Sequence, residues 1–188
     1  MFWRRCPSDA EIERFLEDSR SRRLSYGAPG ITRGRAPRGR LDELRAPIGH
    51  GPADFQRACD ALASWQHFDL SWVRVFPRDA AIDIGTVVAV RIHHVGFWSL
   101  NGARVVYRVD DNGRFGFAYG TLTNHAEHGE ELFEISLDPQ SGGVIYRIRA
   151  VSWPQAALAR AGYPLVRYLQ TRFRRDSAAA MRRATKHA

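Results

Sequence analysis

Lysine is almost missing from this chain. Of its 28 basic residues all but Lys186 are arginine. Arginine's planar fork suits phosphate and carboxylate groups, but so extreme a ratio over a whole chain points to coding bias rather than to one anion site. Cysteine is nearly as scarce. Cys6 and Cys59 are too few for a disulfide framework or a four-cysteine zinc site, so a reducing compartment is expected. No apolar run nears the roughly 20 residues of a membrane span. The N-terminal MFWRRCPSDAEIERF is charged but has no apolar h-region, which reads against a secretory signal. A soluble, cytoplasmic protein is expected. No Cys/His finger, P-loop or aromatic RNA-binding signature occurs, and no internal repeat.

What is present is ordinary globular material. With 188 residues, 44% hydrophobic and 26% charged, the chain is long enough for one domain with a full core and too apolar for disorder. The net charge of +8 is uneven. Residues 151–188 hold eight basic side chains against Asp176 alone, whereas 108–150 hold four against seven acidic ones. A basic end is only the first of several signs of nucleic-acid binding, so nucleic acid is not the expected partner.

Ser8 and Glu11 form a capping box ahead of Ile12, Phe15 and Leu16, which predicts a first helix ending near Ser19. Residues 19–40 are rich in Gly, Pro and Arg, which is loop chemistry with room for one short strand at Leu24 to Tyr26. Gly51-Pro52 opens a second helix along Phe55, Ala58, Leu62 and Trp65. From Ser71 to Trp153 the period becomes two, with strands expected at 71–76, 85–94, 103–109, 114–121, 131–138 and 143–152. Asn112-Gly113 makes a tight hairpin, and Pro139 to Gly143 another. A long last helix follows, interrupted at Gly162-Tyr163-Pro164. Leu165, Val166, Leu169, Phe173 and Ala180 share one stripe of it, with Arg167, Arg174, Arg175 and Arg182 opposite. Hairpins in series exclude a parallel βαβ sheet. The fold class is therefore α+β: a curved antiparallel sheet of six to seven strands wrapped around a long C-terminal helix, the helix-grip arrangement. Residues 1–48 carry the first helix and the Arg/Gly/Pro-rich segment, 49–188 the helix-grip domain, the whole forming one compact body.

Several residues could carry chemistry. In RFGFAYGT, Phe115, Phe117 and Tyr119 alternate with Gly116, Ala118 and Gly120. The glycine face implies a close approach: the C-terminal helix packs on it, or it lines a ligand cavity. His125, His128, Glu130 and Glu131 gather imidazole and carboxylate in a short loop. They could serve as acid and base or hold a metal, or form a solvated loop paired to arginine; no known zinc spacing is present. Of His93 and His94, one must face the core side. Asp176 lies within the apolar stripe of the last helix, so it needs a partner, Arg147 or Arg149, or anchors a ligand. Trp65, Trp72, Tyr107, Phe117, Tyr119, Tyr146 and Phe173 supply large surfaces for the core and for any cavity within it.

GFAYGTLTNHAEHGEELF, YRIRAVSWP and GYPLVRYLQTRFRRDSAAAM, together with GHGPADFQRACDALASWQHFDLSWVRVFP and IGTVVAV, closely resemble the uncharacterised protein family 0548. The likeness covers roughly residues 49–183. It implies a START-like, polyketide-cyclase-like helix-grip fold, and in that broad group a hydrophobic small molecule is held between sheet and helix. The expected function is therefore binding of a hydrophobic or amphipathic small molecule, with Trp65, Trp72, Tyr107, Phe117, Tyr119, Tyr146, Phe173 and Asp176 as candidate ligand residues and no cofactor or metal. A cyclase- or hydrolase-type enzyme using His125, His128, Glu130 or Glu131 is the alternative. An interaction, nucleic-acid or anionic-surface module acting through the arginines of the last helix is the third reading.

Overall fold

The computed structural model describes residues 2–34, 40–154 and 163–186. The elements in order are β1 (Phe2–Trp3), α1 (Asp9–Ser21), β2 (Arg40–His50), α2 (Gly51–Ala63), a 3₁₀ turn (Gln66–Phe68), β3 (Val73–Phe76), β4 (Val87–His94), β5 (Phe97–Asp111), β6 (Arg114–Thr121), β7 (Glu127–Leu137), β8 (Gly143–Pro154) and α3 (Tyr163–Lys186). All strands pair antiparallel in one open sheet of order β2-β8-β7-β6-β5-β4-β3, and β1 adds to the start of β5. The α+β helix-grip expectation holds. Asn112-Gly113 does turn β5 into β6, with Gly113 at a φ of 78° that a side chain would resist.

The inner face carries the main core. α2, the 3₁₀ turn and α3 cover it, and Leu62, Phe68, Phe117, Phe133, Tyr146 and Met181 are enclosed there. α3 sits close only along its C-terminal half. Ser177, Ala178 and Ala180 are small enough to bring the backbone down, and Tyr146 Oη meets Ser177 Oγ at 2.9 Å. Toward its N-terminal end Leu165, Val166 and Leu169 are only partly covered or exposed, because the helix stands off from the sheet there.

The outer face is covered by the N-terminal segment. Ile12, Phe15 and Leu16 of α1 pack on Ala89 and Leu100, and residues 24–34 cross β5, β6 and β7.

Three expectations need correction. The short strand at Leu24 to Tyr26 is only a bridge from Leu24 to Leu122, and a full strand, β2, lies at Arg40–His50. β2 is an edge strand with an irregularity between Pro47 and Gly49; an edge tolerates the proline that made the segment look like loop. Residue 48 falls inside β2, so the segments on either side of it share one sheet. Gly116 and Gly120 belong to the central strand but face outward, away from α3. A Cβ on Gly120 would come within 2.3 Å of Tyr26 Oη, and one on Gly116 within 2.2 Å of the Phe133 carbonyl oxygen. Close approach is the reason for both glycines, but by the N-terminal segment and by the neighbouring strand. Lastly, Arg167 and Arg174 turn inward onto Asp42 instead of lying opposite the stripe. The part of the last helix expected before Gly162 lies outside the described residues.

Trp65 adopts a left-handed φ of 59°, held by its indole N–H donating to the Ala80 carbonyl at 2.7 Å. That turn drives His67 into the core. The imidazole is fully buried, stacked on Trp65 and 4.6 Å from the Phe133 ring, and neither of its nitrogens has a hydrogen-bond partner among the described residues. Burial pushes its pKa down from 6.5 to about 3. The unfolded chain therefore binds a proton below pH 6.5 that the folded chain refuses, and stability is lost as pH falls from 6.5 toward 3. This group should account for about 2 kcal/mol of loss between pH 6.5 and pH 5. His67→Phe should be at least as stable as wild type at pH 7 and should remove that part of the acid loss, as read by urea denaturation at both pH values. A variant as acid-sensitive as the parent would contradict this.

Candidate functional site

Where α3 stands off, a cavity of about 230 Å³ opens between helix and sheet. Its walls follow from strand register. Residues directly opposite in an antiparallel pair share a face, so Asp42 of β2, Ala150 of β8, Glu131 of β7, Tyr119 of β6 and Val105 of β5 form one inward row. Ala150 leaves the row open between two carboxylates. Phe68 and Trp72 close one side, Val90, Ile92 and His94 of β4 another, and Leu165, Leu169, Gln170, Phe173 and Arg174 of α3 form the roof. His125 and Glu127 lie at the end where the β6–β7 connection enters β7.

The polar groups differ sharply in how they are satisfied. Glu131 accepts the Tyr119 hydroxyl at 2.8 Å. Burial raises its pKa to about 7, against the opposing pull of Tyr119 and Arg174. Glu131 is half-buried and lines the cavity. Burial likewise raises the Glu127 carboxyl, against two hydrogen bonds from the Gln170 amide at 2.8 and 3.0 Å. Asp42 is different: burial opposes its ionisation, but Arg167, Arg174 and Arg40 outweigh burial and hold its pKa low. Arg167 grips it with both terminal nitrogens.

Burial lowers the His125 pKa to about 4, so the ring is neutral at pH 7. Its Nδ1 accepts the Glu127 backbone N–H at 3.0 Å, which places the ring proton on Nε2. Burial also lowers His94, while His93 turns to the other face and stacks on Trp98 at 4.2 Å.

Of the four residues expected to carry acid–base chemistry, the structure brings His125 and Glu131 to the cavity. The side chains of His128 and Glu130 face outward. His128 bonds the Ser25 carbonyl at 2.7 Å. The Glu130 carboxylate accepts the Tyr26 hydroxyl at 2.7 Å, the Gly30 and Thr32 backbone N–H groups at 2.8 and 3.0 Å, and the Thr32 hydroxyl. His125 and His128 thus do not converge on a metal, and among the described residues no group of three or more His, Cys, Asp or Glu is placed to hold one.

Of the expected ligand residues, Trp72, Tyr119 and Phe173 line the cavity. Trp65, Phe117 and Tyr146 are in the closed core beneath it. Tyr107 is on the outer face, bonded to Thr32 with Arg33 over its ring. Asp176 accepts the Trp72 indole N–H at 3.0 Å and pairs with Arg172 and Arg175 on its own helix. The expected partners of Asp176 are taken instead: Arg147 by Glu43 and Glu134, and Arg149 by Glu43.

Sequence reasoning missed Glu127, Gln170, Arg174 and Asp42. Starting β7 four residues earlier would have put Glu127 on the face of Glu131, since strand alternation is two.

Residues 25–180 match the family described as a domain of unknown function, DUF1990. A UPF0548 protein of Dictyostelium discoideum is 34% identical over 206 residues, covering 98% of this chain and 95% of its own length. The chain belongs to this family. A second UPF0548 protein, from Deinococcus radiodurans, is 34% identical over 197 residues and 98% of each chain. Among solved structures, the Zhui aromatase/cyclase of Streptomyces sp. R1128 superposes with a TM-score of 0.51 at 15% identity, over 79% of this chain and 94% of its own. Ara h 8.0201 superposes with a TM-score of 0.50 at 13% identity, over 78% and 97%. At such identities these two structures establish the UPF0548 helix-grip fold and nothing of its ligand. Among the described residues no helix is long and apolar enough to cross a membrane.

The adjacent glutamates separate structure from site. Glu130→Ala leaves four donors unanswered and should cost roughly 3 kcal/mol or more, with faster tryptic cleavage at Arg23 and Arg33. Glu131→Gln should cost under about 1 kcal/mol, because it removes a carboxylate whose charge burial already disfavours. Chemical denaturation with a trypsin time course reads both; equal costs would refute the division.

Proposed function

We propose that this UPF0548 protein binds an amphipathic small molecule in the cavity between its sheet and the N-terminal half of α3. The supporting observation is the shape of that half of the fold: α3 is seated by small residues at one end and left standing off aromatic walls at the other. An enclosed apolar space of about 150 Å³ already accepts benzene, so about 230 Å³ takes a molecule of one or two rings or a short chain. Trp72, Phe68 and Phe173 receive the apolar body, while Glu131, Glu127 and the His125 Nε2–H receive its polar end. Few polar groups converging in a mostly apolar cleft are what small-molecule sites present.

The enzyme reading keeps two of its four residues at the cavity, His125 and Glu131. A carboxyl poised near pH 7 is suited to exchange a proton with a bound molecule, and this favours it as the second reading. Five of the six arginines of α3 are engaged within the chain, which speaks against an anionic-surface module: Arg167 and Arg174 by Asp42, Arg172 and Arg175 by Asp176, and Arg182 by the Pro47 carbonyl.

Fluorescence titration with the neutral two-ring probe 7-dimethylamino-4-methylcoumarin tests the reading. Wild type should bind it with a blue-shifted emission. Ala150→Phe, which fills the open position of the inward row, should weaken binding at least tenfold while circular dichroism stays unchanged. Unaltered probe binding by a folded Ala150→Phe protein would place the ligand elsewhere.

A further inference from the structure

The charges enclosed around the cavity do not balance. On the β2–β8–β7 side there are three carboxylates, Asp42, Glu127 and Glu131, and α3 answers with two guanidiniums, Arg167 and Arg174. Both guanidiniums reach Asp42, Arg167 by a bidentate pair and Arg174 at 3.9 Å, and Arg167 also donates to the Gln170 side-chain carbonyl at 2.6 Å. Among the described residues the Glu127 carboxylate accepts hydrogen bonds from the Gln170 amide alone and Glu131 from the Tyr119 hydroxyl alone, while Arg167 and Arg174 attract them only from beyond ion-pair distance. Neither glutamate has an ion-pair partner within 4 Å among the described residues. Arg40 touches Asp42 from the solvent side at 3.3 Å, with 62% of its side chain exposed, so water screens it. The other groups facing Glu131 are neutral at pH 7: His125 and His94, Ser152 of β8, and the rings of Phe68, Trp72 and Phe173.

We propose that the cavity selects an organic ammonium, a one- or two-ring or short-chain amine whose cationic nitrogen sits at Glu131 and Glu127 with its apolar body against the aromatic walls. The inference rests on the cavity reading above and gives it a ligand class. An ammonium supplies the missing positive charge, and its N–H donors fit carboxylates that now receive only neutral donors. The rings of Tyr119 and Phe173 add cation–π attraction, whereas that of Trp72 already carries the Arg172 guanidinium at 4.4 Å. A carboxylate ligand would instead bring a fourth negative charge into the enclosure.

In the free protein a proton fills the deficit. Burial holds Glu131 near pH 7, so a proton and the ammonium compete for the same carboxylate. Amine affinity should therefore rise with pH until Glu131 is fully ionised.

Isothermal titration with naphthylmethylamine, naphthylmethanol and naphthoate tests this in the full chain. The amine should bind at least tenfold tighter than the alcohol at pH 8 and about tenfold weaker at pH 6 than at pH 8. Titrations in two buffers of different ionisation enthalpy should show close to one proton released per amine at pH 6. Naphthoate should bind weakest, and Glu131→Gln should bring the amine down to the level of the alcohol. If the neutral fluorophore and the alcohol bind but the amine has no advantage, or its affinity is flat from pH 6 to pH 8, the ammonium assignment falls and the cavity stands. If the fluorophore and all three probes fail to bind, both fall. The pH dependence is measured on wild type, so the outcome does not hang on the variant folding.

Discussion

Tyr146 and Ser177 meet beneath the second half of α3, in a stretch where Ala178, Ala180 and Met181 are also buried. Packing density in a core is nearly fixed, so side-chain size sets how far a helix stands from its sheet. Small residues bring the C-terminal half down. The N-terminal half carries Leu165, Leu169 and Phe173 above Ala150, Ser152 and Gly129, and the sheet offers nothing tall enough to fill the space beneath. The cavity is thus a consequence of where small residues lie along two facing elements: on the helix at one end, on the sheet at the other. The aromatic block of Trp65, Phe68, Phe117 and Phe133 closes the floor where the two halves meet.

The outer face obeys a different economy of groups. Glu130 is 2% exposed and still fully answered, because residues 26–32 aim two backbone N–H groups and two hydroxyls at it. A buried anion surrounded by donors is a structural joint. It ties the N-terminal segment to the sheet, and the same segment explains why an outward position of β6 is Gly120: the Tyr26 ring crosses directly above it.

Much of the architecture was legible in residue order. Period-two alternation located β3 to β8, Asn112-Gly113 located the hairpin, and the Ser8–Glu11 box located α1, because those signals are local. Two kinds of error came from non-local causes. β2 was hidden by Pro47 and by arginine-rich flanks, and only its place at the sheet edge makes such a strand possible. The two faces of β6 were separated correctly, but which faced α3 was not, since alternation gives a period without a direction. The site suffered most from one boundary. With β7 begun at 131, Glu127 looked like loop and His125, His128, Glu130 and Glu131 looked like one cluster. With β7 begun at Glu127 the cluster divides between two faces.

That division is the sharpest lesson of the fold. Glu130 and Glu131 are neighbours of one residue type on one strand, the first buried on the outer face and the second half-buried at the cavity, and their surroundings push them to opposite roles. Donors from the chain itself converge on Glu130, so its charge is satisfied before any ligand arrives. Around Glu131 the donors stop at one hydroxyl, and the nearest guanidinium already serves Asp42. A protein under selection for stability alone would gain by replacing such a carboxylate with glutamine or an apolar side chain. Retaining an under-compensated anion beside an open apolar space makes sense when something that enters the space completes its shell. On the proposed reading the incomplete shell of Glu131, more than the cavity's volume, carries the information about what enters.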